Sequence, residues 1–182
     1  MVTKDVIDAI RERRSVHRFE SRPVPEATVG RILECARLAP SVANSEPWLF
    51  VVVQREAERQ GLAELAPGEE YIAEAPVIIV VCTDLERAAR AAGLEAPLAT
   101  DKARLLGLQD AAAAIENMLL AATGFGLGSC WVGDIDPGGV AERLGLDANR
   151  YQPVALVPLG YARDWPAPPE HRPIDDMVRI IQ

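Results

Sequence analysis

The stretch from Leu108 to Ala122 is apolar on nearly all of its faces, and its longest run, Ala111 to Ala122, carries only Glu116 and Asn117 as polar residues. A helix with no solvated side has to be enclosed, so this segment reads as the central helix of a core or of a subunit interface. It is too short to span a bilayer, and the N-terminus opens with charges rather than a signal-peptide core. The expectation is a soluble cytoplasmic protein without a membrane partner. The chain has 182 residues, 49% of them hydrophobic and 25% charged, which suits one domain over 1–182. A formal charge of −8 argues against nucleic acid, because phosphate-backbone binding rests on Lys and Arg. An anionic ligand would need a local cationic pocket.

The elements around that helix can be read from local signals. Thr3 reads as an N-cap with Asp5 in the first turn of a helix whose narrow apolar stripe is Val6, Ile7 and Ile10 and whose end lies near Arg13. Pro25 and Glu26 open a second helix carrying Val29, Ile32, Leu33 and Ala36 at helical spacing, and Pro40 stops it. Trp48 to Val53 and Pro76 to Cys82 read as buried strands, separated by a polar segment from Arg55 to Glu70 that reads as a solvated helix. Thr83 to Leu105, interrupted by Gly93 and Pro97, reads as a mobile lid. Ser129 to Ile135 and Pro153 to Gly160 are further strands, with a short helix from Pro137 to Leu144 between them. Five prolines between Pro158 and Pro173 favour an extended arm, and Met177 to Ile181 regains a strand-like pattern that suits a partner subunit. Cys35, Cys82 and Cys130 read as buried structural thiols, and Gly124, Gly126 and Gly128 follow a helix instead of preceding one, so no dinucleotide fingerprint is present.

Three segments stand out chemically. Between Arg11 and Arg22 lie five Arg and two Glu, a local charge of +3 inside an acidic chain, with Arg13, Arg14, Ser15 and His17 at its centre. Such cations can simply stabilise a helix C-terminus, or their guanidinium forks and the serine hydroxyl can hold a phosphate. The turn Pro40, Ser41, Val42, Ala43, Asn44 packs small hydrogen-bonding groups between two prolines, which either stops a helix or reads the edge of a planar heterocycle. In Gly128 to Asp134, glycine either ends a buried helix or lets backbone N–H groups approach a ligand closely. No HxH, HExxH, paired-cysteine, P-loop or GxSxG pattern is present, so neither a metal site nor an activated serine is expected.

Taken together, "RRSVHRF", "APSVANSEPWLFVVV", "ENMLLAATGFGLGSCWVGDIDPGGVAERLGL" and "ALVPLGYARDWPAPPEHRPIDDMV" resemble, in order and spacing, the nitroreductase family of FMN-dependent enzymes, over essentially the whole chain. The resemblance implies an α+β fold with a mixed, mainly antiparallel central sheet flanked by helices, and a C-terminal arm exchanged in a homodimer that holds FMN at its interface. It implies that Arg13, Arg14 and Ser15 hold the FMN phosphate and ribityl chain, that His17 lies near the pyrimidine edge, and that Gly133 and Asp134 meet the flavin near N5. Pro40, Ser41, Val42 and Asn44 would reach the flavin from the other subunit, and His171 and Arg172 would close over the phosphate. The implied activity is transfer of hydride from NADH or NADPH to a small organic acceptor, a nitroaromatic, quinone or similar compound, by a ping-pong mechanism, with the flavin carrying the chemistry. His17, His171 and Pro169 stand where the family prefers permanent cations. That departure keeps a non-catalytic flavin-binding or redox-sensing dimer open as an alternative, beside a specialised deiodinase or flavin-destroying relative.

Overall fold

Residues 4–93 and 101–182 are described by a computed structural model of the chain. Its centre is a four-stranded sheet in the order β1-β2-β4-β3, built from β1 (Trp48–Val53), β2 (Val77–Asp84), β3 (Gly128–Ser129) and β4 (Tyr151–Gly160). Neighbouring strands run antiparallel, and a parallel pairing enters as the isolated bridge between Ser15 and Ser129. Every residue of β2 is buried, as a Val/Ile run sandwiched between two layers should be. Its side chains alternate between two cores. Val77, Ile79 and Val81 face α2 (Glu26–Arg37) and α5 (Asp101–Gly124), whereas Ile78, Val80 and Cys82 face Leu62 of α3 (Glu56–Ala63) and Val140 of α6 (Pro137–Arg143). The result is three layers, each fully buried aliphatic side chain contributing about 1.5–3 kcal/mol.

The largely apolar segment lies in the central helix, which is longer than the apolar run: α5 spans 24 residues, among them the buried Ala103, Gly107, Ala111, Ala114, Ile115, Met118 and Ala122. By length and composition it could cross a membrane. Here one side packs on α2 and the sheet, while Leu105 and Leu108 stay exposed. Gly107 permits that closeness, since a Cβ there would fall 2.2 Å from Thr83 Cγ2. α2 and α6 begin and end within a residue or two of the positions expected from Pro25 and from Pro137 with Gly145.

Several expectations need correction. Thr3 lies outside the described residues, and Asp5 is the N-cap of α1 (Val6–Glu12), its carboxylate accepting from the Ile7 and Asp8 amides. The stripe Val6, Ile7 and Ile10 of α1 points to solvent and only Ala9 is buried. β1 is an edge strand, with mostly half-buried residues, because it has a hydrogen-bonded neighbour on one side only. The segment Arg55 to Glu70 holds a shorter helix than expected, and α3 is not wholly solvated: Gly61, Leu62 and Ala63 are buried. Of the expected lid, 83–84 end β2, α4 (Leu85–Ala91) follows with Leu85, Ala88 and Ala89 buried, and α5 begins at Asp101; 94–100 lie outside the described residues. The strand expected over Ser129 to Ile135 is two residues of β3 and a single bridge from Val132 to Leu156. Cys35, expected buried, is half-buried where Cys82 and Cys130 are buried. Met177 to Ile181, expected to pair with a partner subunit, forms no strand within its own chain.

Candidate functional site

Beyond Glu12 the backbone of α1 turns extended, and alternate residues then point to opposite sides. Val16 is fully buried, which leaves Ser15 and His17 exposed on the other face. The Val16 amide donates to the Ser129 carbonyl at 3.0 Å, so this segment lies along the end of β3. Gly128 makes the approach possible: a Cβ would sit 2.8 Å from Val16 Cγ2. The first and third candidate segments are thus side by side. From Ser129 the chain passes through buried Cys130 and Val132 to Gly133 and Asp134, both exposed.

The opposite end of the chain closes on the same place. The Arg163 amide donates to the Arg18 carbonyl at 2.9 Å, its guanidinium to the Phe19 carbonyl at 3.1 Å, and Trp165 Nε1 to the Glu12 carbonyl at 3.0 Å. A cavity of about 620 Å³ results, walled by Arg11, Arg13, Arg14 and Ser15 on one side and by His171 with Pro166, Pro168 and Pro169 on the other. Three guanidinium groups, an imidazole and a hydroxyl suit an oxyanion with a polar tail. One buried polar atom in its lining, Arg14 Nε, has no hydrogen-bond partner among the described residues, nor has the buried Oγ of Ser129, the residue bridged to Ser15. An unmet buried polar group costs about 1–3 kcal/mol, which a ligand can recover. Arg14 also donates to the Arg11 and Arg13 carbonyls, at 2.9 and 2.7 Å, and so is aimed by its own backbone. Arg172 is exposed and does not line the cavity.

The turn Pro40 to Asn44 is built separately. The Val42 amide donates to both carboxylate oxygens of Asp110 at 3.2 Å, and the Glu46 amide donates to Ser41 Oγ at 3.0 Å. Ala43, Asn44 and Glu46 hold φ of 51°, 51° and 47°. Left-handed backbone at non-glycine residues costs about 1–3 kcal/mol each and persists where surroundings over-determine it, as at ligand sites. Pro40 and Asn44 are exposed. Among the described residues no hydrogen bond or ion pair joins this turn to Arg13, Ser15 or Gly133 of the same chain, and the cavity at the arginine segment is lined by none of its residues.

Two residues escaped the sequence reading. Asp110 left a signal, a carboxylate at the head of the apolar run of α5; burial pushes its pKa up, against the lowering effect of the Val42 amide. Tyr71 left none. It lies in a 3-10 turn, Glu70–Glu74, with its ring stacked on His17 at 4.3 Å between centroids and its hydroxyl donating to Cys130 Sγ at 3.3 Å.

A profile of the nitroreductase family matches residues 10–69 and 66–161. An NADH dehydrogenase of Thermus thermophilus is 34% identical over 204 residues, covering 96% of this chain and 95% of its own. A 5,6-dimethylbenzimidazole synthase of Rhodospirillum rubrum is 33% identical over 199 residues, covering 97% and 89%. A solved structure from Desulfovibrio desulfuricans, in complex with FMN, superposes with a TM-score of 0.83 at 29% identity and covers 98% of both chains.

Proposed function

The chain belongs to the nitroreductase family, and from that premise we propose that it is an FMN-dependent oxidoreductase fed by NADH or NADPH. The cavity between Arg13, Arg14, Ser15 and His171 carries the reading, because a phosphate monoester calls for this donor set and the buried Arg14 Nε in its lining has no hydrogen-bond partner among the described residues. Bound FMN would supply reversible two-electron chemistry between a nicotinamide and an organic acceptor, which protein side chains cannot perform alone. The chain holds and tunes. Arg13, Arg14 and Ser15 bind the phosphate and ribityl end, and His171, with Arg172 next to it on the arm, closes over them. His17 stands at the pyrimidine end, while Gly133 and Asp134 offer backbone N–H groups to the opposite edge.

Pro40, Ser41, Val42 and Asn44 serve the site of a second copy, which makes the active species a homodimer. Three features support it: the turn lies apart from its own chain's arginine segment, the stripe Val6, Ile7 and Ile10 is exposed, and among the described residues β1 has a free edge while Met177 to Ile181 has no partner strand. Donor and acceptor would share one opening in turn, a ping-pong cycle open to nitroaromatics, quinones and similar small acceptors.

The test is optical. Purified protein should carry or take up FMN and turn yellow, and anaerobic NADH or NADPH should bleach it within seconds, with colour restored by an added quinone. Bound flavin that neither nicotinamide reduces would leave a binding or sensing dimer; protein that takes up no FMN at saturating concentration would refute the assignment. Parallel initial-rate lines over varied donor and acceptor are the expected kinetic pattern, and intersecting lines would exclude ping-pong.

A further inference from the structure

We infer that Tyr71 is a positioning residue for the bound flavin, setting the His17 imidazole and tying it to the Gly128–Asp134 segment; the inference rests on the flavin reading above. The geometry is specific. His17 is exposed on an extended segment, and on that side the Tyr71 ring lies against it, 4.3 Å between centroids at 28°. Unsupported, an imidazole there would rotate about both side-chain bonds, and the entropy of fixing it would be lost each time a ligand bound. The stack fixes its plane beforehand. At its far end the Tyr71 hydroxyl donates to Cys130 Sγ at 3.3 Å, three residues before Gly133. The ring packs against the small cluster of Val16, Phe19 and Ala75 and also against the larger core that holds Cys130 and Val132. One side chain therefore sets the spacing between the residue at the pyrimidine end and the backbone that meets the opposite edge. Burial and the Cys130 contact push the Tyr71 pKa upward, so the phenol keeps the proton it donates.

A tyrosine that merely fills the core would make the same contacts, so the test must read His17 itself. The chain has two histidines, and His171 serves as an internal reference for imidazole proton resonances. In the apoprotein, Tyr71→Leu should move the His17 resonances downfield as the ring current is lost, leaving His171 in place, and Tyr71→Phe should hold them. With FMN, Tyr71→Leu should weaken binding roughly tenfold and lower the flavin potential towards that of His17→Ala, with Tyr71→Phe within about threefold of wild type. In a His17→Ala background the same Tyr71→Leu change should have little further effect on the potential. If Tyr71→Leu does not fold, Tyr71→Met, nearer in length, takes its place. An unmoved His17 resonance, or equal effects with and without His17, would overturn the role of Tyr71 while leaving the flavin reading intact. Wild-type protein that takes up no FMN would overturn that reading itself, and this inference with it.

Discussion

Asp110 shows how one residue serves a neighbouring segment at its own cost. Burial raises its pKa above the ordinary aspartate value of 3.8. A carboxyl whose folded pKa is raised contributes its full stability below the unfolded value and loses it as pH rises through the folded one. Asp110→Asn, uncharged throughout and still able to accept from the Val42 amide, should therefore gain in melting temperature over wild type as pH rises from below 3.8, and the gain should level off above the raised pKa. A thermal melt series over pH reads this directly. Asp110→Ala leaves the Val42 amide unpaired in a strained turn, and we expect roughly tenfold weaker FMN binding by titration. The thiols give a second residue-level prediction. Burial pushes Cys82 up to about 12, whereas Cys35 is half-buried. Mass spectrometry after a brief exposure of native protein to an alkylating reagent should find Cys35 modified and Cys82 untouched until the protein unfolds.

At the level of elements, α4 depends on one buried carboxylate. Asp84 Oδ1 accepts from the Glu86 and Arg87 amides at 3.1 and 3.2 Å, and its Oδ2 takes the Arg150 guanidinium at 2.9 Å. Asp84→Ala removes the cap and the ion pair together and should cost about 2 kcal/mol in urea unfolding. Much of the element plan was legible beforehand for a local reason: α2 and α6 carry prolines at their starts, and β2 and β4 are apolar runs of strand length. Failures fell where local pattern lacks the deciding information: Ser129 to Ile135 has the composition of a strand, yet within it only Ser129, in β3, and the Val132 bridge find a neighbour to pair with. Periodicity likewise says that Val6, Ile7 and Ile10 share a side of α1 without saying what that side meets, which is solvent. The site was half legible: Arg13, Arg14, Ser15 and His171 do line one cavity, but Tyr71 is an ordinary aromatic until folding brings it onto His17.

The whole molecule leaves more apolar surface open than one copy explains. Val6, Ile7 and Ile10 are each more than half exposed, as are Ile174, Met177, Val178, Ile180 and Ile181 along the tail. Sedimentation should return twice the chain mass, and deletion after Gly160 should both lower that mass and abolish tight FMN binding; a truncated protein unchanged on both counts would sink the dimer proposal. The cavity whose walls come from Arg13 and from His171 is closed by segments far apart along the sequence. Neither segment builds it alone, so any local opening that lifts the proline-rich arm dismantles the cavity while the sheet stays intact.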